Sequence, residues 1–121
     1  MSKKLIYYRL LQQFNQDYPQ LSTTILTSGW FEARLLFFLT NKPAVYTLGC
    51  GMAENQYLDW SKEVRQKIAS KTLKEAVYID SYDRSHCLAN YFDQCERLPT
   101  TSYVNKHKNY ALYAYRCRNF G

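Results

Sequence analysis

The chain has 121 residues, enough for one domain with a sizeable core that needs no metal or covalent staple. Its apolar content of 46%, with only four glycines and three prolines, excludes a disordered segment. The net charge of +6 favours anionic neighbours such as phosphates or lipid headgroups, and no apolar run is long enough to cross a bilayer. We therefore expect a single soluble domain spanning residues 1–121.

The positive charges and the tyrosines are spread along the chain. Basic residues form two groups, at positions 62–74 and 106–118, and the first is interleaved with acidic Glu63 and Glu75. This pattern is typical of a solvated surface, and because no recognition motif accompanies it, nucleic acid is not expected as a partner. The twelve tyrosines suit half-buried or interfacial positions, since each combines an apolar ring with a polar hydroxyl.

The first half of the chain alternates between helical and strand patterns. Apolar residues recur at a near-helical spacing over residues 3–18, and Pro19 follows, which predicts an amphipathic helix. Residues 23–27 are rich in β-branched side chains and predict a strand. Residues 30–40 are apolar on most of their surface and predict a buried helix. Residues 44–48 predict a second strand.

The middle of the chain continues the alternation. Ser61 is a suitable N-cap for a helix over residues 62–70, because its hydroxyl can accept a hydrogen bond from an amide of the first turn. Residues 76–80 form the clearest strand pattern in the chain.

The C-terminal third predicts one helix and two strands. Residues 85–96 read as a helix with Leu88, Tyr91, Phe92 and Cys95 on its inner face. Residues 101–104 and 110–117 read as two strands joined near residues 105–109. The whole order predicts an α/β fold, a three-layer sandwich with a mainly parallel sheet and a C-terminal antiparallel hairpin.

Four cysteines and two histidines could in principle carry chemistry. They do not have metal-ligand spacing, so neither a metal nor a cofactor is expected. In a helix over residues 85–96, Cys87 and Cys95 would lie about 12 Å apart along the axis and could not bond to each other. Free buried thiols are favoured, although a disulfide such as Cys95 with Cys117 remains open in an oxidising compartment, and the pairing is left undecided. The residues concerned are Cys50, Cys87, Cys95, Cys117, His86 and His107.

Two other patterns suggest catalysis only weakly. Adjacent His86 and Cys87 would point about 100° apart on a helix and do not form a nucleophile–base pair by themselves. Three aspartates, Asp80, Asp83 and Asp93, do not have the spacing of a cation-binding loop, and the first two fit turn and cap positions after a strand. No catalytic residue is therefore assigned.

The glycine-containing segment after the second strand, residues 48–51, resembles the cofactor loop of S-adenosylmethionine-dependent methyltransferases. It departs from that pattern at Thr47, where an acid is usual, and at Ala53, where a further glycine is usual. A strand-end turn is the favoured interpretation of the segment. An independent small-ligand enzyme, such as a degenerate methyltransferase, is the alternative function.

The segment Asn-Gln-Tyr-x-x-Trp is the most informative part of the sequence. Asn55, Gln56, Tyr57 and Trp60 place two amides, a phenol and an indole within six residues, which we expect in a loop or short turn. Amides bind hydroxyls and aromatic faces pack on sugars, so these residues are candidates for a ligand site or an interface. In the other interpretation, the amides satisfy the backbone of their own loop.

Several motifs together resemble the soluble C-terminal domain of bacterial integral-membrane glycosyltransferases similar to family 39 protein mannosyltransferases and lipid A aminoarabinose transferases. Phe37-Phe38-Leu39 ends a helix, residues 43–48 contain a proline and a short strand, and residues 55–60 carry the Asn-Gln-Tyr-x-x-Trp motif. The segment Tyr115 to Gly121 matches the usual ending of Tyr-Arg followed by Phe and Gly. The resemblance covers about residues 22–121. It departs at residues 28–30 and at residues 52–54, where the family has other residue types.

The resemblance implies a parent enzyme with many membrane helices that transfers a sugar from a polyprenyl-phosphate carrier. In such enzymes the catalytic acid lies in the membrane part, so this chain is expected to be a non-catalytic accessory domain. Its expected location is the extracytoplasmic, periplasmic face of a bacterial membrane. Its expected partners are the membrane domain of the same parent, lipid headgroups and the polyprenyl-phosphate sugar.

Overall fold

A computed structural model describes residues 2–19, 24–27, 45–48, 50 and 54–120, with the backbone alone at positions 45, 47 and 54–61. The predicted helix over residues 30–40 lies outside this part. Within it, no helix is long and apolar enough to span a membrane. The elements are α1 (Lys3–Asp17), β1 (Thr24–Thr27), β2 (Val45–Thr47), α2 (Glu54–Ala69), β3 (Glu75–Asp80), α3 (Ser85–Leu88), β4 (Gln94–Leu98), β5 (Ser102–Asn105), β6 (Lys108–Ala111) and β7 (Tyr113–Arg118).

Helix α1 begins and ends as its sequence predicts. The Ser2 side chain accepts a hydrogen bond from the Leu5 amide at 3.2 Å, which caps the first turn. The helix ends at Tyr18, before Pro19, and the Tyr18 hydroxyl donates a 2.6 Å hydrogen bond to the Pro99 carbonyl. The two ends of α1 are therefore fixed by local capping and by a long-range contact with the segment after β4.

The main sheet has five strands in the order β2-β1-β3-β7-β4. β1 pairs in parallel with both β2 and β3, and Ile25 lies opposite Val77. β7 pairs antiparallel with both β3 and β4, and Cys117 lies opposite Cys95. The α/β prediction is confirmed, but the sheet is mixed rather than mainly parallel, because two of its four pairings are antiparallel.

Apolar residues on the two faces of the sheet form two separate core clusters. The cluster on the α1 face contains Ile6, Tyr7, Leu10, Leu11, Phe14, Ile25, Val77, Ile79, Leu98, Leu112 and Ala114. The cluster on the other face contains Leu26, Leu48, Cys50, Val64, Ile68, Ala76, Tyr78, Leu88, Phe92, Tyr115 and Cys117. Alternate residues of β3 enter opposite clusters, as the period of two in a strand requires. Helices therefore pack on both faces, α1 on one and α2 with α3 on the other.

The predicted helix over residues 85–96 is wrong beyond its first turn. The helix α3 ends at Leu88, and β4 follows from Gln94 to Leu98. The apolar residues of this segment are spaced as in a helix, but residues 94–98 pair with β7 and form the hydrogen bonds of a sheet. Nonlocal pairing overrides the local pattern here.

Two further boundary predictions are corrected. Ser61 is not an N-cap, because α2 begins at Glu54 and the serine lies inside it. The C-terminal antiparallel hairpin exists as β5 and β6, but it forms its own two-stranded sheet with its turn at residues 106–107. Buried Leu112 separates β6 from β7, and β7 enters the main sheet between β3 and β4.

All four cysteines of the sequence are paired, so the expectation of free buried thiols is wrong. Cys50 is bonded to Cys87, and Cys95 is bonded to Cys117. The Cys95–Cys117 bond joins directly opposite residues of β4 and β7, whose Cα atoms are 4.1 Å apart. The pairing of β4 with β7 places the two cysteines side by side.

Candidate functional site

The carboxyl ends of β1, β2 and β3 lie along one edge of the sheet, because the three strands are parallel. β4 runs in the same direction, since both β3 and β4 are antiparallel to β7. Ligands of open α/β sheets bind at this edge more often than elsewhere. We call it the carboxyl edge.

Asp80, the last residue of β3, is a buried carboxylate at the carboxyl edge, with 1% of its surface exposed. The Tyr78 hydroxyl donates to its Oδ2 at 3.0 Å, and Arg84 Nε approaches the same oxygen at 3.3 Å. The Tyr82 amide donates to Oδ1 at 3.3 Å. These donors compensate the buried charge, so Asp80 holds the chain that leaves β3 in a fixed turn.

Asp83 forms a second carboxylate contact at the same edge. The Tyr115 hydroxyl donates a 2.6 Å hydrogen bond to Asp83 Oδ1, and the Ser85 amide donates to the same atom at 3.1 Å. These two bonds, with a smaller contribution from nearby Arg97, lower the pKa of Asp83 below its ordinary value. Burial and the bond to Asp83 raise the pKa of Tyr115, so the pair is a neutral phenol and an ionised carboxylate.

Three residues near the end of the chain join it to the chain between Asp83 and Cys95: Tyr115, Cys117 and Asn119. Tyr115 contacts Asp83, and Cys117 is bonded to Cys95 of β4. Tyr115 and Cys117 alternate along β7 and share one face of the sheet, and Asn119 follows the end of β7. We call Tyr115, Cys117 and Asn119 the C-terminal clasp.

Asn119 forms the last tie of the clasp and is 8% exposed. Its Nδ2 donates to the Tyr91 carbonyl at 3.1 Å, and its Oδ1 accepts from the Asp93 amide at 2.8 Å. The Asp93 carboxylate in turn accepts from the Phe120 amide at 2.8 Å. Much of the C-terminal motif in the family resemblance therefore stabilises the fold.

One groove lies at the carboxyl edge, between the start of α1, the segment after β3 and the β5–β6 hairpin. It encloses about 400 Å³. We call it the carboxyl-edge groove; its lining residues are Lys3, Tyr7, Ser81, Tyr82, Asp83, Lys108, Asn109, Tyr110 and Tyr113. Two ammonium groups, one carboxylate and four phenol rings make this a polar, aromatic and cationic surface, of the kind that binds phosphate esters and hydroxyl-rich groups.

A second groove, of about 430 Å³, lies on the other side of the molecule between α2 and the segment that follows α3. The Arg65 guanidinium lies 5.6 Å from the centre of the Tyr91 ring and donates to the Leu48 carbonyl at 3.3 Å. Lys71 approaches the Asp93 carboxylate at 3.9 Å. The charged groups of this groove are used in contacts that join α2 to its neighbours.

The predicted site residues Asn55, Gln56, Tyr57 and Trp60 belong to the first two turns of α2, not to a loop. Their side chains lie outside the described part of the chain, and their role as a ligand site or an interface stays a prediction. The helical backbone shows only that the segment is not a loop.

The weaker catalytic candidates are explained by structural contacts. Cys50 of the glycine-containing segment is 2% exposed and bonded to Cys87, so Cys87 offers no thiol to the neighbouring His86. Asp80, Asp83 and Asp93 each accept hydrogen bonds from protein donors. Among the described residues, no group of three or more histidines, cysteines or acids is arranged to hold a metal ion.

The carboxyl-edge groove was not predicted from the sequence, because its lysines and tyrosines come from segments far apart in the chain. The clasp had a visible signal in the period-two placement of Tyr115, Cys117 and Asn119. Comparisons of the chain with protein-family models, curated proteins and solved structures found no match. The assignment of a function therefore depends on this chain's own residues and contacts.

Proposed function

We propose that this chain is a non-catalytic, extracytoplasmic accessory domain of a membrane glycosyltransferase that uses a polyprenyl-phosphate sugar. The proposal includes a three-layer arrangement of helices around the sheet, which the packing of α1 and α2 on opposite faces supports. The reactive groups would belong to the membrane part of the parent. This domain would pack on that part and shape the side from which the acceptor enters.

The pairing of every cysteine is the observation that carries the proposal. Two disulfides, Cys50–Cys87 and Cys95–Cys117, join distant segments around the sheet. Stable disulfides are rare in the cytosol and common in the bacterial periplasm and other oxidising compartments. An extracytoplasmic location follows most simply from this covalent framework.

The carboxyl edge gives further support for a non-catalytic role. Asp80 is buried and engaged by Tyr78 and Arg84, and Cys87 is held in a disulfide. A general acid or a nucleophile needs a side chain that reaches substrate, and these two groups are instead used to hold the fold.

The proposal is tested by assaying the 121-residue chain and its full-length parent for sugar transfer from a polyprenyl-phosphate donor. We expect transfer by the parent in membranes and none by the chain alone, because the catalytic acid lies in the membrane part. Transfer by the chain alone would contradict the proposal. So would tight calorimetric binding of S-adenosylmethionine, which would indicate an independent small-ligand enzyme.

A further inference from the structure

We propose that the carboxyl-edge groove binds the headgroup of an anionic phospholipid, with the phosphodiester between Lys3 and Lys108 and the headgroup's free hydroxyls at Asp83. A phosphatidylglycerol headgroup has this chemistry: one phosphodiester and a short chain carrying two hydroxyls. This inference rests on the proposed function, because a domain attached to a membrane enzyme stays close to such headgroups.

The groove has two ammonium groups that form no ion pair with the described residues. Lys3 is the first residue of α1, whose first turn contains no acidic residue. Neither Lys3 nor Lys108 forms an ion pair with any residue in the described part of the chain. By contrast, Lys67 and Lys71 elsewhere on the surface approach carboxylates. Two such lysines in the lining of one groove suit a phosphodiester, which offers two unesterified oxygens.

Aromatic rings line the groove together with the two lysines. The Tyr7 and Tyr110 rings meet edge to face with centroids 6.0 Å apart, and Lys3 Nζ lies 6.0 Å from the Tyr7 ring centre. Tyr82, which also lines the groove, is 58% exposed. Tyrosine is enriched at membrane interfaces, where its ring lies at the level of the headgroups.

Asp83 gives the groove a preference among anionic headgroups that net charge alone does not provide. The Tyr115 hydroxyl and the Ser85 amide both donate to Oδ1, and the residue is exposed, so the ionised carboxylate keeps acceptor capacity for a ligand. A carboxylate repels a second phosphate but accepts hydrogen bonds from hydroxyls. The groove therefore favours a headgroup with one phosphate and free hydroxyls over a headgroup that carries a further carboxylate.

The hairpin beside the groove has a surface that suits contact with a bilayer. Val104 is 68% exposed and Tyr103 is 38% exposed. The turn after them contributes Lys106 and His107, both exposed. Apolar side chains next to basic ones are the composition of segments that rest on anionic membranes.

The test measures binding of the 121-residue chain to vesicles that contain phosphatidylglycerol or phosphatidylmethanol at equal mole fraction in phosphatidylcholine. Both anionic lipids carry one phosphodiester and the same net charge, but only phosphatidylglycerol offers two hydroxyls. We expect binding to phosphatidylglycerol vesicles to be stronger. Equal binding to the two would overturn the headgroup site.

A matched pair of double variants separates the groove from diffuse attraction. K3A/K108A removes the two groove lysines, and K62A/K74A removes two exposed lysines that do not line it. We expect about a fivefold loss of affinity for each groove lysine and a clearly smaller loss for the control pair. Equal losses would overturn the proposal. Unchanged urea midpoints establish that all variants remain folded.

Soluble glycerol 1-phosphate distinguishes a free phosphate ester from a membrane headgroup. We expect it to compete only at concentrations far above those of vesicle lipid, and tight binding of the free ester would contradict the membrane assignment.

Failure of the groove proposal is distinguishable from failure of the proposed function. If the parent has membrane helices but the domain shows no preference for phosphatidylglycerol, only the groove proposal is refuted. A chain that is not part of a membrane protein yet binds through Lys3 and Lys108 would refute only the parent enzyme.

Discussion

Single polar side chains determine how the segment after β3 is held, and the Tyr115–Asp83 contact is the clearest example. The 2.6 Å bond joins β7 to a residue 32 positions earlier. Asn119 adds two bonds at the opposite, amino edge of the sheet, from a buried position where an unsatisfied amide would be costly. These contacts hold the segment between β3 and β4 at both of its ends.

Replacing Tyr115 by Phe tests this contact through its dependence on pH. At pH 7 we expect a loss of about 1 kcal/mol in the free energy of unfolding, low for a bond to a charged group because Asp83 is exposed. The folded-state pKa of Asp83 is lowered, so this stability is present above the unfolded pKa of about 3.9 and disappears as pH falls through the folded value. Urea unfolding at pH 7 and at lower pH should show the difference between wild type and variant shrinking.

At alkaline pH the contribution of Tyr115 to stability changes with pH in the opposite direction. Its pKa is raised in the folded state, so its contribution is present below the unfolded value of about 10 and is lost as pH rises through the folded value. The control is Tyr113→Phe, because the Tyr113 hydroxyl forms no hydrogen bond with the described residues. We expect that change to be within about 0.5 kcal/mol of wild type. A Tyr115→Phe effect that stays constant from neutral to acid pH would refute the assigned contact.

At the scale of elements, β4 and the clasp depend on each other. β4 is an edge strand that pairs only with β7 among the described strands, and the Cys95–Cys117 bond fixes this pairing covalently. Chain-entropy arithmetic for its separation of 22 residues gives about 3.4 kcal/mol of stabilisation. The corresponding value for Cys50–Cys87, with a separation of 37 residues, is about 3.8 kcal/mol.

The double variant C95A/C117A is expected to lose roughly 3 kcal/mol in the free energy of unfolding under oxidising conditions, measured by urea denaturation. C50A/C87A is the matched control and should lose a similar amount, because the two loops differ little in closure entropy. Before reduction, wild-type protein should show no reactive thiol when unfolded in denaturant. Titration of four free thiols in protein prepared under oxidising conditions would contradict the framework.

Elements with a clear local pattern were predicted from the sequence, and residues whose state depends on distant pairing were not. α1, β1, β2 and β3 follow local periodicity and were predicted closely, with Pro19 marking the end of α1. Residues 94–96 were predicted as the end of a helix because Leu88, Tyr91, Phe92 and Cys95 have the spacing of a helical apolar face. Their strand state depends on β7, which lies about twenty residues later, and no local pattern contains that information.

The candidate site was predicted less well than the fold, for a related reason. The carboxyl-edge groove joins Lys3 and Tyr7 with Tyr82 and Lys108, and only the tertiary arrangement brings these residues together. The clasp was visible in part, since Cys117 was named as a possible partner of Cys95. The Asn-Gln-Tyr-x-x-Trp segment was assigned to a loop because its polar residues resemble turn chemistry, and helix α2 includes it instead.

On the scale of the whole molecule, the chain combines a covalently fixed α/β domain with a cationic aromatic groove at one edge. Its net charge of +6 would attract it to an anionic membrane, and its disulfides fit an oxidising compartment. We expect such a domain to work beside a bilayer as part of a larger protein. In the described part of the chain, buried Asp80 and the paired cysteines are used to hold the fold.

The central claim is that the chain belongs to a membrane glycosyltransferase, and an immunoblot of native cells tests it most directly. An antibody against the chain should detect a band several times larger than the chain's 14.4 kDa, confined to the membrane fraction. Detection of a 14.4 kDa band in the soluble fraction, with no larger species in membranes, would contradict the account.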